Sequence, residues 1–159
     1  MKIPLGIEEI RALYGDPRPL IKDDGSTCPA WESMILTWVN LPASLPLGWD
    51  LNHTVTRIRV NKAIANLTRT TLEQIYHDGL WHLLLTFDGC YCWRPKRTSS
   101  RLSLHAWGAA IDLNAGMNLI GMAGNQDERL LAVFRKHGWV WGGSFHFPDA
   151  MHFQAAAGY

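Results

Sequence analysis

Apolar positions recur at helical spacing near the start of the chain, where Ile7, Ile10 and Leu13 lie three apart and Gly15-Asp16-Pro17 supplies a stop. A helix from Gly6 to Tyr14 is expected. From Arg18 to Asn52 the pattern is irregular, punctuated by Pro19, Gly25, Pro29, Pro42 and Pro46 and threaded with Trp31, Trp38 and Trp49. This reads as a long packed connection with one short helix around Trp31 to Trp38. His53 to Val60 is rich in β-branched residues and alternates as a strand, with Ile58 and Val60 inward. Between Asn61 and Asp78, Ile64, Leu67, Leu72 and Ile75 form a helical stripe that stops at Gly79.

Trp81 to Phe87 is a continuous apolar run of the kind a buried strand requires, and Asp88-Gly89 is a turn signal before a partner strand from Cys90 to Trp93. A hairpin is the economical reading. A polar, basic loop from Arg94 to Arg101 leads into SLHAWGAAIDLN, whose later half alternates: Ala110, Asp112 and Asn114 on one face, Ala109, Ile111 and Leu113 on the other. Asn125 or Asp127 can cap a helix that runs to His137 with Leu130, Leu131 and Phe134 as its stripe and Gly138 as its stop. Trp139 to Trp141 and Met151 to Phe153 complete the set as short strands around a Gly-rich turn. Helices and strands are mixed and the hairpin favours antiparallel pairing, so the expected class is α+β, a small antiparallel sheet with flanking helices.

Composition narrows the function classes. A length of 159 residues with 47% hydrophobic residues suits one domain with a full core: residues 1–52 irregular and helical, 53–159 the chemical core. Fifteen Lys and Arg against fourteen Asp and Glu leave no broad positive field, which argues against nucleic acid or anionic lipid as the main partner. No stretch approaches the roughly 20 apolar residues of a membrane span, and Glu8, Glu9 and Arg11 interrupt any secretory run near the start. Synthesis without a signal peptide, in the cytoplasm, is the expectation, so work outside the cell needs a separate exit route. Cys28, Cys90 and Cys92 form an odd set without a CxxC pair and read as reduced structural thiols.

The chemistry concentrates in two places. Ser103, His105, Gly108, Ala110 and Asp112 spell S-x-H-x-x-G-x-A-x-D, and Asp149 to Gln154 reads D-A-M-H-F-Q. A catalytic zinc site takes three N or O ligands and leaves one position open, a set that His105, Asp112 and His152 can supply. The small residues between the first two let the chain bend closely around one ion. Asp149, three residues before His152, is placed to work beside the metal, taking a proton from the attacking water and returning it to a leaving amine. His53, His77, His82 and His137 have no such spacing.

SLHAWGAAIDLN and GWVWGGSFHFPDAMHFQ together resemble a family of zinc peptidases: VanY-type D-alanyl-D-alanine carboxypeptidases, VanX-type dipeptidases and phage L-alanyl-D-glutamate endolysins, with a fold shared by hedgehog domains. The resemblance is specific from about Gly89 to Gln154. It implies a hedgehog/DD-peptidase-like fold, Zn²⁺ held by His105, Asp112 and His152, Asp149 as catalytic acid and base, and an Arg shortly before the Ser-x-His segment that polarises the scissile carbonyl. Arg94 in GCYCWR stands at that place, with Arg97 and Arg101 near enough to compete. The implied substrate is the peptide stem of bacterial peptidoglycan, acted on by a monomer, and the implied route to the wall is the endolysin one, through a membrane-permeabilising partner. L-alanyl-D-glutamate endopeptidase is the first reading, trimming of terminal D-Ala the second, and a zinc-bearing wall-binding module without turnover a third from another class.

The substrate contacts are more open. Ser103 either braces the loop or holds ligand and substrate; His146 is an exposed loop residue or a substrate contact. Trp107 and Trp141, with Trp139, are core residues or walls of the cleft. The Arg94 to Arg101 loop is a solvated face or a rim that attracts carboxylates of the stem, those of D-Glu and diaminopimelate.

Overall fold

The computed structural model describes residues 2–97 and 99–159. Its first helix, α1 (Gly6–Tyr14), covers the span the spacing predicts and buries Ile10 and Tyr14. After a 3₁₀ turn, α2 (Pro29–Ile35) starts on a proline, which suits the first turn of a helix because that N–H has no partner there. It buries Trp31 and Ile35.

Two strands of twelve residues each then replace the later part of the expected irregular connection, β1 (Leu36–Leu47) and β2 (Asp50–Asn61). They pair antiparallel from Leu36↔Asn61 to Asn40↔Arg57 and resume at Leu45↔Val55 after an irregularity. Pro42 falls in that interruption, where no ladder donor is required, so the proline that argues for a loop is accommodated by a bulge.

α3 (Ala65–His77) packs on β1 with Leu67, Leu72 and Ile75 buried, as the stripe requires. The next apolar run departs from expectation. Trp81–Leu83 is a 3₁₀ turn, only Phe87–Gly89 is strand (β3), and Cys90 to Trp93 forms none. The side chain of Asn114 explains the first departure: its Oδ1 accepts the N–H groups of Leu85 and Thr86 at 2.7 and 3.2 Å, the role a neighbouring strand would have had. His105 explains the second, because the 90–92 backbone bonds to it instead of folding back on β3.

β4 (Ala110–Leu113), α4 (Glu128–Lys136), β5 (Val140–Trp141) and β6 (His152–Gln154) follow, and Asp127 caps α4 by accepting the Arg129 N–H at 2.9 Å. The six strands form one sheet in the order β2-β1-β3-β4-β6-β5. All neighbours are antiparallel except β1 and β3, which touch in parallel at Leu47↔Phe87 alone. The class is α+β, compatible with a small DD-peptidase-like fold.

The core joins both ends of the chain. Phe134 stacks on Phe153 at 4.1 Å, and three buried indoles each find an acceptor: Trp31 on the Ala106 carbonyl, Trp107 on that of Gly15, Trp139 on the Thr71 hydroxyl. Gly108, with φ +62°, closes the seam between the motif and the hairpin. Its carbonyl accepts the Asn61 N–H at 2.8 Å, and a Cβ there would stand 2.6 Å from Leu36 Cδ2. No helix among the described residues is long and apolar enough to cross a membrane.

Candidate metal centre

His105 sits on a 3₁₀ turn, Leu104–Trp107, whose first N–H groups need an acceptor; the Ser103 hydroxyl accepts that of His105 at 3.4 Å. Asp112 lies on β4 and His152 opposite it on β6, as the directly paired residues Asp112↔His152. Cross-strand partners share a face, and that face brings three ligand atoms into a near-equilateral triangle. His105 Nε2 is 3.1 Å from Asp112 Oδ1 and 3.1 Å from His152 Nδ1, which is 3.0 Å from Asp112 Oδ1.

The hydrogen bonds on the far side of each ring decide what those atoms present. His105 Nδ1 faces the Cys90 carbonyl at 2.5 Å, an atom that only accepts, so the proton resides there and Nε2 presents a lone pair. His152 Nε2 faces Gln154 Oε1 at 3.1 Å, and the amide of Gln154 is fixed in that orientation because its NH₂ donates to the Ala156 carbonyl. His152 Nδ1 therefore presents a lone pair as well. In these neutral tautomers two imidazole lone pairs and a carboxylate oxygen converge, an arrangement that a cation, or a proton on one ring, relieves.

The triangle suits zinc. Tetrahedral ligands about 2.0–2.1 Å from the ion lie roughly 3.3 Å apart, close to the separations found here. His105 and His152 are buried and Asp112 nearly so, and each ring has the backbone or amide acceptor that commonly orients a metal-bound imidazole. In the metal-free protein a proton is the available substitute. Burial opposes charge on both Asp112 and His152. The two imidazoles, His105 foremost, nevertheless hold the Asp112 carboxyl below the usual carboxylate range, and the Asp112 carboxylate raises His152.

Asp149 reaches the same cleft by another device. The Gly142 carbonyl accepts the Asp149 N–H at 2.9 Å, and a Cβ on Gly142 would stand 2.4 Å from the Asp149 carbonyl oxygen, so only glycine allows this approach. Asp149 Oδ1 is buried without a hydrogen-bond partner among the described residues. Burial, first, and the Asp112 charge raise this carboxyl above its ordinary value, against the opposing pull of His152 and Arg97. An under-solvated carboxylate of raised pKa beside the His105–Asp112–His152 cluster is equipped to accept and return a proton.

A cleft of about 330 Å³ opens over His152 and Asp149, and Ser103, Arg94, Arg97 and His146 line it too. Arg101 lines a second cavity, with Arg11 and Arg18. Trp107 is not brought to the cleft: it is 1% exposed in the core. Trp141 also lies off its lining, with its indole N–H on the Ala150 carbonyl at 2.8 Å beneath the Asp149 turn. Thr98, inside the basic loop, lies outside the described residues.

Three residues that spacing did not reveal hold this site. Gln126 donates to the carbonyls of Leu113 and Ala150, each adjacent to a site residue, and Asn114 and Asn118 extend the network. The available signal was three amide side chains crowded between the two motif halves.

Among curated proteins, none matches the chain significantly. Residues 96–155, which hold the triad and Asp149, match a family described as D-alanyl-D-alanine carboxypeptidase. The segment that carries the site is therefore similar to the VanY-like family of zinc peptidases.

Proposed function

We propose that the protein is a zinc-dependent peptidase that hydrolyses an amide bond in the peptide stem of bacterial peptidoglycan, with His105, Asp112 and His152 holding the ion. The observation that carries this reading is the convergence of His105, Asp112 and His152 ligand atoms in one cleft with Asp149, whose Oδ1 has no hydrogen-bond partner among the described residues, in a segment matching a zinc peptidase family. When bound, zinc supplies Lewis acidity that polarises the scissile carbonyl and makes a water acidic enough to attack near neutral pH.

The chain's own residues do the rest. Asp149 accepts the proton of the attacking water on its carboxylate and returns it to the departing amine. Arg94, whose guanidinium is tied to the Pro95 carbonyl at 3.2 Å on the cleft wall, faces the charge that develops on the carbonyl oxygen. Ser103 braces the His105 turn from the cleft floor. His146, which also lines the cleft, is a substrate contact.

Between the two bonds the family reading allows, the basic cleft wall supports cleavage beside an acidic residue, the L-alanyl-D-glutamate bond. Digests of purified peptidoglycan, made with zinc and with a chelator and read by mass spectrometry, test this. New amino termini on D-Glu that vanish with the chelator are expected. Loss of terminal D-Ala instead assigns a carboxypeptidase, and unchanged fragments across several wall types leave a binding module.

A further inference from the structure

The cleft wall carries a charge imbalance of which the proposed chemistry uses only Arg94. Arg94, Lys96 and Arg97 line it, Asp149 is the one acidic residue among the described lining residues, and none of the three cations has an ion-pair partner among the described residues. Lys96 differs from its neighbours in being held. Its N–H donates to the Arg101 carbonyl at 2.7 Å and Pro95 bridges Leu102, so the base of its loop is fixed. Its ammonium rests 4.0 Å from the ring centroid of Tyr159, a cation–π contact. Tyr159 is fixed in turn: its hydroxyl donates to the Leu102 carbonyl at 2.8 Å, and its ring meets Trp107 edge-on at 6.1 Å.

We propose that Lys96, pinned by Tyr159, is the specificity residue that reads a carboxylate on the substrate and makes this cleft selective for acidic peptides. The inference rests on the peptidase reading and deepens it. A half-buried ammonium without a counter-ion is incompletely solvated, and an aromatic face compensates only part of what water or a carboxylate would supply. An incoming carboxylate completes the set. Because the ammonium is already positioned, ordering four side-chain torsions costs the complex little on binding. Burial, with Arg101 adding to it, lowers the Lys96 pKa, in the direction of a cation that lacks its anion. The two arginines have other settings: Arg94 is bonded to the Pro95 carbonyl, and Arg97 is exposed and lowers Asp149 through its charge.

The test separates binding from turnover. Two probes are titrated calorimetrically into the zinc-loaded protein: N-acetyl-L-alanyl-D-glutamate with its Ala–Glu amide replaced by a non-hydrolysable ketomethylene link, and the same compound with both carboxyls amidated. The wild type is expected to bind the diacid about tenfold or more tighter than the diamide, as a charge-assisted hydrogen bond requires. Lys96→Met should collapse that ratio with zinc content unchanged, Lys96→Arg should keep most of it, and Tyr159→Leu should fall between. Equal weakening of both probes by Lys96→Met, or an unchanged ratio, overturns the assignment. Should the wild type discriminate the probes yet cleave no peptidoglycan, the peptidase reading fails while the carboxylate site stands.

Discussion

The β1–β2 hairpin and the β4–β6 pair satisfy their backbones by opposite means. The hairpin uses length: twelve residues a side, a ladder that survives an interruption, and an outer face left to solvent, with Trp38 half exposed under the Arg57 guanidinium at 4.3 Å. β4 and β6 have four and three residues, too few to fix the ligand atoms by a ladder alone. There the precision comes from side-chain amides with several partners each, Gln126 and Asn114 above all. Repetition tolerates error, whereas a network of single bonds does not.

The sharpest break should come at the ligands. Losing an outer partner of a metal ligand costs about 10–100-fold in affinity, so His105→Ala or Asp112→Ala should exceed that for zinc and abolish turnover. Competition with a chromophoric chelator reads the first and a digestion assay the second. Asp149→Asn should lower kcat by about 10²–10⁴-fold while zinc stoichiometry stays the same. Full activity in that variant would remove Asp149 from the mechanism.

Asp149 also yields a pH signature. Its folded pKa is raised, so within the window above the ordinary carboxylate value the native state binds more protons than the unfolded one, and stability falls as pH rises. Thermal melts of the metal-free protein should therefore show Asp149→Asn more stable than wild type at pH 7 but not at pH 3. The acid limb of kcat/KM should lie above the usual carboxylate range in the wild type.

Gln126→Leu tests the network directly. It takes the Gln126 donor from the Leu113 carbonyl, while the Ala150 carbonyl keeps the Trp141 indole N–H, and a buried group left unpaired costs about 1–3 kcal/mol, so a clear loss of stability with weaker zinc binding is expected from denaturant titration and the chelator assay. The smallest effect belongs to the hairpin. Trp38→Ala should change stability by about 1 kcal/mol or less and leave kcat untouched. An equal loss of activity in the two variants would erase the contrast.

What was legible in the sequence follows the same division. Periodicity found α1, α3 and the capped α4 because each buries one stripe, and alternation set Asp112 on the correct face of β4. The hairpin was hidden by Pro42 and Pro46, since a bulge that neutralises a proline leaves no local trace. Trp81 to Phe87 looked like a strand because apolar runs do not reveal what satisfies their N–H groups, and here the partner is Asn114, a residue 28 and 29 positions away. The grouping of His105, Asp112 and His152 was legible as a motif. The amides that hold it were not, since an Asn or Gln outside a motif resembles any polar loop residue.

Gly142 draws a boundary for future variation in the protein. A side chain there meets backbone atoms of Asp149 and His152, which a rotamer change cannot move aside. Ser144, His146 and Phe147 next to it are exposed, and His146 and Phe147 face the cleft. A lineage of this protein can thus drift in what its cleft prefers through residues 144–147 while position 142 stays frozen, and the same split marks where a directed library should and should not be randomised.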